Sequence, residues 1–312
     1  MRLLRIWPEG TNFDFMRYRR LSFPLSAALS VLVCVLFMTV GLNFGIDFKG
    51  GTLIELHAKT GQADVAKVRQ ASDAMGFGDV EVQEFGNEGG ISLRFPMQAG
   101  GDQAQGEVVQ KARAAFTSDY DFRRVETVGP RVSGELVQAG TAGVVISVLA
   151  VLVYLWFRFE RNLAIGAIIG TLHDIVLTVG FFVITQLEFN MTSIAAILTI
   201  VGYSLNETVV VFDRTRELLR RYKTMPDTEL LNLSINSTMS RTVMTATTTF
   251  LSLLALVLFG GEAINGFAQV MLVGIVICTY SAVFVSSPSL IYLGLRQGQA
   301  AKAAAKAAAV RP

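Results

Sequence analysis

Charge is scarce in this chain. Only 17% of its 312 residues are Asp, Glu, Lys or Arg, against about 25% in an average soluble domain. That excludes a disordered chain and an ordinary water-soluble globule. Cysteine and histidine are nearly missing: Cys34, Cys278, His57 and His173 are the full set. Both cysteines sit inside apolar runs and no Cys/His cluster exists, which excludes a disulfide scaffold and a structural zinc site. Proline is rare too, at 7 residues, so long stretches carry no helix breaker. What is present is apolar. Hydrophobic residues make up 52%, glycine contributes 28 residues, and the mean hydropathy is +0.48. This is the composition of a polytopic α-helical membrane protein.

Six stretches are apolar over a length that crosses a bilayer core of about 30 Å, which takes about 20 helical residues. They are placed at 23–41, 137–157, 163–184, 190–212, 242–260 and 265–294. The last is longer than needed and is expected to tilt or to extend past the membrane. Lys and Arg are segregated. Seventeen of the 27 fall in the N-terminal segment 1–22, the turn 158–162, the loop 213–241 and the tail 295–312; the short alternate loops 185–189 and 261–264 carry none. The positive-inside rule puts both termini in the cytoplasm. The first span has the basic flank of a signal peptide but no small-residue cleavage site after it, so an uncleaved anchor is expected.

Segment 42–136 is polar, net negative and extracytoplasmic on this topology. Thr52 to His57 alternates as a strand does. Gln62 to Met75 has helical spacing and ends at Gly76 and Gly78. Val80, Val82 and Phe85 form a second strand, Asn87 to Gly90 a turn, and Ile91, Leu93 and Phe95 a third strand. Gln103 to Phe116 reads as a second helix and Phe122 to Val128 as a fourth strand. The order βαββαβ is that of a ferredoxin-like α+β domain between the first two spans. It contains no catalytic cluster, so it reads as an interaction or support domain.

Charges inside spans are costly and mark function by default. His173 and Asp174 lie mid-way along the third span, Glu207 about two turns from the cytoplasmic end of the fourth, and Arg241 opens the fifth. Gly166, Gly170 and Asp174 recur every four residues, so the carboxylate continues a small-residue packing face. Arg241, Thr245, Thr248 and Ser252 give the fifth span a hydroxyl-lined face ending in an arginine. Burial disfavours the charged form of a carboxylate, and a nearby arginine restores it. A movable Arg241 beside Glu207 would therefore switch that carboxylate between holding and releasing a proton. The competing reading is a static ion pair that locks two helices. For His173 and Asp174 the competitor is structural hydrogen bonding. The threonine stripe reads equally as packing glue or as a water path. Asp213 and Arg214 read as a solvated helix end, and the arginine-rich loop after them as a topology signal with anionic-lipid contact.

Gly202-Tyr203-Ser204 matches the G-x-S of intramembrane serine proteases. Such a site needs a base within reach of the serine. His173 sits at mid-bilayer and Ser204 nearer the cytoplasmic end, so no covalent chemistry and no enzyme activity is expected. No metal, organic cofactor or nucleic-acid partner is expected either.

Several of these segments resemble the SecD/SecF family, and its SecF branch in particular. They are Asn12 to Arg19; Gly45-Ile46-Asp47-Phe48-Lys49-Gly50-Gly51-Thr52; Val128-Gly129-Pro130; Leu172-His173-Asp174; Arg241-Thr242; and Phe259-Gly260-Gly261. The most specific is Val201-Gly202-Tyr203-Ser204-Leu205-Asn206-Glu207 running on to Asp213-Arg214. The resemblance covers about residues 12 to 294. Many members of the family carry Asp where this chain has Glu207, so the carboxylate is kept and lengthened by one methylene. The single outer segment, much smaller than that of SecD, fits SecF.

The resemblance implies half of an RND-like, twelve-span unit in the bacterial inner membrane, completed by SecD. It implies work with the SecYEG channel and the SecA ATPase, with YidC in the wider complex, on a translocating preprotein. The energy source it implies is the proton motive force, spent on late-stage translocation. It maps the proton path to Glu207 and Arg241, supported by Asp174 and His173, and marks Asp47, Lys49, Gly50, Gly51, Gly202, Asn206, Asp213 and Arg214 as signature positions. The alternatives are an RND-type exporter subunit and a structural subunit that stabilises the translocase without proton coupling.

Overall fold

The computed structural model describes residues 8, 11–85 and 89–296. The tail basic residues Lys302, Lys306 and Arg311, the first arginines Arg2 and Arg5, and Asn87 and Glu88 of the expected turn lie outside the described residues. In chain order a short 3₁₀ turn, Phe15–Tyr18, leads into α1 (Arg19–Thr39). Then come α2 (Ile46–Lys49), β1 (Gly51–Ala58), α3 (Val65–Asp73), β2 (Glu81–Phe85), β3 (Gly90–Phe95), α4 (Gly101–Phe116) and β4 (Tyr120–Val128). The helices α5 (Pro130–Arg158), α6 (Arg161–Thr185), α7 (Met191–Arg221), α8 (Asp227–Phe259) and α9 (Glu262–Ser281) follow. A π-helical turn, Ala282–Ser286, and α10 (Ser287–Tyr292) close the order. Among the described residues, six helical stretches are long and apolar enough to span a membrane. The chain divides into two compact units: residues 43–143 with 188–191, and the remainder.

The smaller unit is built on one antiparallel sheet in the order β2-β3-β1-β4. Alternation along β1 and β3 explains its core. Ile54 pairs with Leu93, Leu56 with Ile91, and Thr52 with Phe95, so these side chains share one face. Val68 of α3 and Val108, Ala112 and Phe116 of α4 cover that face. A register shift between Glu55 and Leu56 lets one extra residue of β4 bulge. Gly51 sits at φ +122, and a Cβ there would lie 2.3 Å from the Phe95 carbonyl oxygen. Both facts demand glycine at the start of the central strand. The second expected helix starts at Gly101, two residues earlier than read, and the first is trimmed to Val65–Asp73, where Asp64 accepts from the Lys67 N–H as an N-cap. The Lys67 ammonium also pairs with Asp119 at 3.1 Å. That hydrogen bond raises the lysine pKa and lowers the aspartate pKa. Phe95 is fully buried. Phe95→Ala should destabilise this unit by roughly 3–5 kcal/mol. Hydrogen exchange of the β1 and β3 amides in the purified protein reads this directly, and unchanged protection would contradict the packing.

Among the long helices three readings of the sequence need correction. The stretch 213–241, read as a loop, is helical except for a turn at 222–226: α7 runs on to Arg221 and α8 begins at Asp227. The reason is amphipathicity rather than hydropathy. Leu230, Leu231, Ile235 and Met239 recur on one face and are buried with Phe212, Leu218 and Leu219. The second helix starts at Pro130, not 137, because proline is well suited to a first helical position. The last stretch is not one helix. Pro288 supplies no N–H to the carbonyl four residues before it. The ladder opens into the π turn, the Ser22 hydroxyl of α1 donates to the freed Phe284 carbonyl at 3.3 Å, and Ser287 Oγ donates to the Ala282 carbonyl at 2.7 Å.

Residues 13–16 are held against α8. The Phe13 and Met16 N–H groups donate to the side-chain oxygens of Asn236 and Asn232, each at 3.0 Å. Asn232 Nδ2 in turn donates to Asp14 at 2.7 Å. Spaced four apart, the two asparagines lie on one face of α8.

Candidate functional site

Small residues bring the helices together at the site. A Cβ on Gly170 would lie 1.8 Å from Ser286 Oγ, and one on Gly166 2.6 Å from Leu290 Cδ2. The glycine face of α6 is therefore in backbone contact range of the π turn and α10. Gly274 of α9 meets Ile200 of α7 in the same way. Asp174, one turn beyond Gly170, is 1% exposed. Its Oδ2 accepts from Ser204 Oγ of α7 at 2.5 Å, and its Oδ1 faces His173 Nδ1 at 3.1 Å. The Cys278 thiol of α9 lies against Asp174 and Ser204. Glu207, three residues beyond Ser204 and so on the same side of α7, is 3% exposed. Its Oε1 accepts from Thr245 Oγ1 of α8 at 3.0 Å.

Both carboxylates thus face the interior, as their spacing requires. Arg241 does not join them. It is exposed, one turn before Thr245, and no ion pair connects it to Glu207 among the described residues. The static ion pair weighed from the sequence is not formed. The hydroxyls of Thr248, Thr249 and Ser252 return to carbonyls four residues back, so among the hydrogen bonds of that stripe Thr245 alone reaches across to the carboxylate.

The signature positions divide. Gly202 and Asn206 are exposed on α7, in line with Ala195 and Thr199. Asp213 is not merely solvated beside Arg214. Arg158 of α5 donates to both of its oxygens, at 2.8 and 2.6 Å, while Arg214 pairs with Glu217 at 2.6 Å. In the smaller unit, Asp47 Oδ2 accepts from the Met191 N–H, the first of α7, at 2.8 Å. Lys49 approaches Glu81 at 3.8 Å. Gly50, at φ +70, ends α2. Arg94, which no sequence pattern marked, holds this region. Its side chain is 9% exposed and contacts Glu81 at 2.8 Å, Glu188 at 3.2 Å and Asn43 at 3.0 Å. Phe44, Phe48 and Phe189 cluster beside it. Arginine on a strand paired with an acidic residue almost a hundred positions away leaves no local signal.

The fold and site define a class: a multi-pass membrane protein that buries two carboxylates among small and hydroxyl-bearing residues. The C-terminal model of the protein export membrane proteins SecD/SecF matches residues 108–296, and the SecD/SecF GG motif matches residues 35–62. The chain belongs to the SecD/SecF family. It is 42% identical over 289 residues to the protein translocase subunit SecF of Rickettsia bellii, covering 92% of this chain and 95% of that one. It is 41% identical to the protein translocase subunit SecDF of Brucella abortus, of which it spans only 39%. Among solved structures, SecDF of Thermus thermophilus, described as a translocon-associated membrane protein, superposes with a TM-score of 0.83 at 33% identity. That match covers 92% of this chain and 39% of the other.

Proposed function

We propose that the chain is the SecF-type subunit of a protein translocase in the bacterial inner membrane, that it pairs with SecD, and that it uses the proton motive force to drive late-stage export of preproteins. The observation that carries the proposal is Glu207. It is a carboxylate only 3% exposed whose hydrogen-bond partner among the described residues is a neutral hydroxyl, Thr245. A buried carboxylate without a cationic partner favours its protonated form, and arrival of a cation favours the ionised one. Arg241, exposed on α8 one turn before Thr245, is positioned to supply that cation when the helices shift. One protein group thus holds a proton in one arrangement and gives it up in another, with about 2.3 kcal/mol available per proton per 100 mV.

The SecD pairing is supported by the SecDF relatives, of which the chain spans 39%, and by the exposed line of Ala195, Thr199, Gly202 and Asn206 along α7. Small and polar groups facing hydrocarbon are costly, and a partner helix would cover them. In this reading both termini are cytoplasmic and the smaller unit is a ferredoxin-like domain on the outer side that moves with, or touches, the preprotein. SecYEG and SecA supply the channel and the first push, with YidC in the wider complex. No covalent step and no cofactor beyond the proton gradient is used. Vesicles carrying this protein with its SecD partner, SecYEG and SecA test the proposal: completion of preprotein export should rise several-fold when a gradient is imposed. Export that ignores the gradient would favour the purely structural subunit.

A further inference from the structure

His173 carries a nitrogen that the site above does not use. Nδ1 faces Asp174, but Nε2 is buried and has no hydrogen-bond partner. A buried polar atom left alone is costly, and in native proteins it usually points to water or a ligand. His173, with a side chain 5% exposed, lines a cleft of about 280 Å³ between α1, α6 and the π turn. The walls are mainly apolar, from Phe23, Ile169, Leu172 and Val285, but Ser26 and Ser30 also line it. Ser26 Oγ shares a 2.8 Å hydrogen bond with Tyr280 OH, and the Tyr280 ring lies 6.4 Å from the imidazole. The cleft is roomy enough for several waters, and the Ser26 and Ser30 hydroxyls in its walls offer them hydrogen-bond partners. The exposed line of α7, by contrast, is no part of the cleft lining.

We infer that the α1–α6 cleft is a water-holding half-channel and that His173 passes protons between it and Asp174. This rests on the proton-driven reading above. In the orientation proposed there, the cleft residues of α1 lie in the cytoplasmic half of the span, so the cleft is the release route. A protonated Asp174 gives its proton to Nδ1, and the ring sheds the proton it carries on Nε2 to water in the cleft. One proton moves, Asp174 is left ionised, and the ring is left in its other tautomer. A turn about the Cβ–Cγ bond brings Nδ1 to the cleft, where water takes its proton and returns one to Nε2, and the ring turns back in its starting tautomer. The groups that bear on the imidazole are Asp174 on its own helix, Ser204 from α7 through that carboxylate, Cys278 beside the same carboxylate, Tyr280 from α9 and Ser26 from α1.

The test has two arms in a Cys34→Ser background, since Cys34 is exposed and Cys278 buried. In the first, Ser30→Cys and Val31→Cys are treated with a charged, membrane-impermeant methanethiosulfonate from each side. Val31 is 64% exposed and absent from the cleft lining. Ser30→Cys should react at least tenfold faster than Val31→Cys, and from the cytoplasmic side. Equal, slow rates would show a lipid-filled cleft and overturn the inference; this arm needs no export activity. In the second arm, His173→Gln is compared with wild type in gradient-driven export. Gln keeps a hydrogen bond to Asp174 but cannot relay. Gradient-driven export should fall at least tenfold at an equal level of assembled complex. Full gradient-driven export by His173→Gln would overturn the relay while leaving the role of Glu207 intact. A wild type insensitive to the gradient would instead sink the proton-driven reading itself.

Discussion

Gly170→Val should prevent accumulation of the folded membrane unit. The first added carbon would already lie 1.8 Å from Ser286 Oγ and 3.1 Å from its Cβ. A serine hydroxyl can rotate away from one methyl group. It cannot make room for a branched side chain on a stiff helix, so α6 and the π turn must separate. Overpacking a core costs typically 1–3 kcal/mol and occasionally more, and this contact also sets the position of Asp174 one turn on. We expect the valine variant to lose about 3 kcal/mol or more and Gly170→Ala to lose far less, because alanine regains about 1 kcal/mol of helix propensity. Thermal unfolding of purified protein in detergent gives the ranking. Adding Ser286→Gly should recover much of the loss. Valine tolerated without the second change would show that the helices are not in contact here.

Asp174 carries the second large effect. Its two oxygens are the partners of Ser204 Oγ and His173 Nδ1, all in a region buried to a few per cent. Asp174→Leu removes both oxygens and leaves Ser204 Oγ and His173 Nδ1 without that partner, at roughly 1–3 kcal/mol each. Asp174→Asn keeps one oxygen and one hydrogen-bonding nitrogen, so its cost should stay near about 1 kcal/mol. Unfolding midpoints should therefore fall in the order wild type, Asn, Leu, with Leu well separated. Under the proton-driven reading the Asn variant assembles yet loses gradient-driven export. Equal midpoints for Asn and Leu would mean that the network seen at Asp174 does not stabilise the bundle.

Much of this was legible in the sequence, for identifiable reasons. Span existence follows from run length, and alternation in β1 and β3 follows from the period of a pleated strand. The inward orientation of Asp174 and Glu207 follows from a four-residue repeat and from the cost of charge in hydrocarbon. Three things were not legible. The first half of α8 is a helix because Leu230, Leu231, Ile235 and Met239 pack on α7, which is a tertiary fact. The π turn depends on Ser22, far away in sequence, meeting the carbonyl that Pro288 frees. The partners of Asp213 and Arg94 come from other elements, so neighbouring residues such as Arg214 were natural but wrong choices. The glycines of the GG motif were recognisable by resemblance, and the structure adds the cause at Gly51: its φ and the Phe95 carbonyl leave no room for a side chain.

The central claim is that Glu207 couples the proton gradient to export. Its most direct test is gradient-driven export by vesicles containing Glu207→Gln, Glu207→Asp or wild type at equal levels of assembled complex. Gln keeps the hydrogen bond from Thr245 but cannot ionise, whereas Asp keeps the charge and shortens the reach by one methylene. The account predicts that Gln loses the gradient-dependent part of export, tenfold or more, and that Asp retains most of it. Gln exporting as well as wild type under a gradient would contradict it, and would leave Glu207 as a structural partner of Thr245.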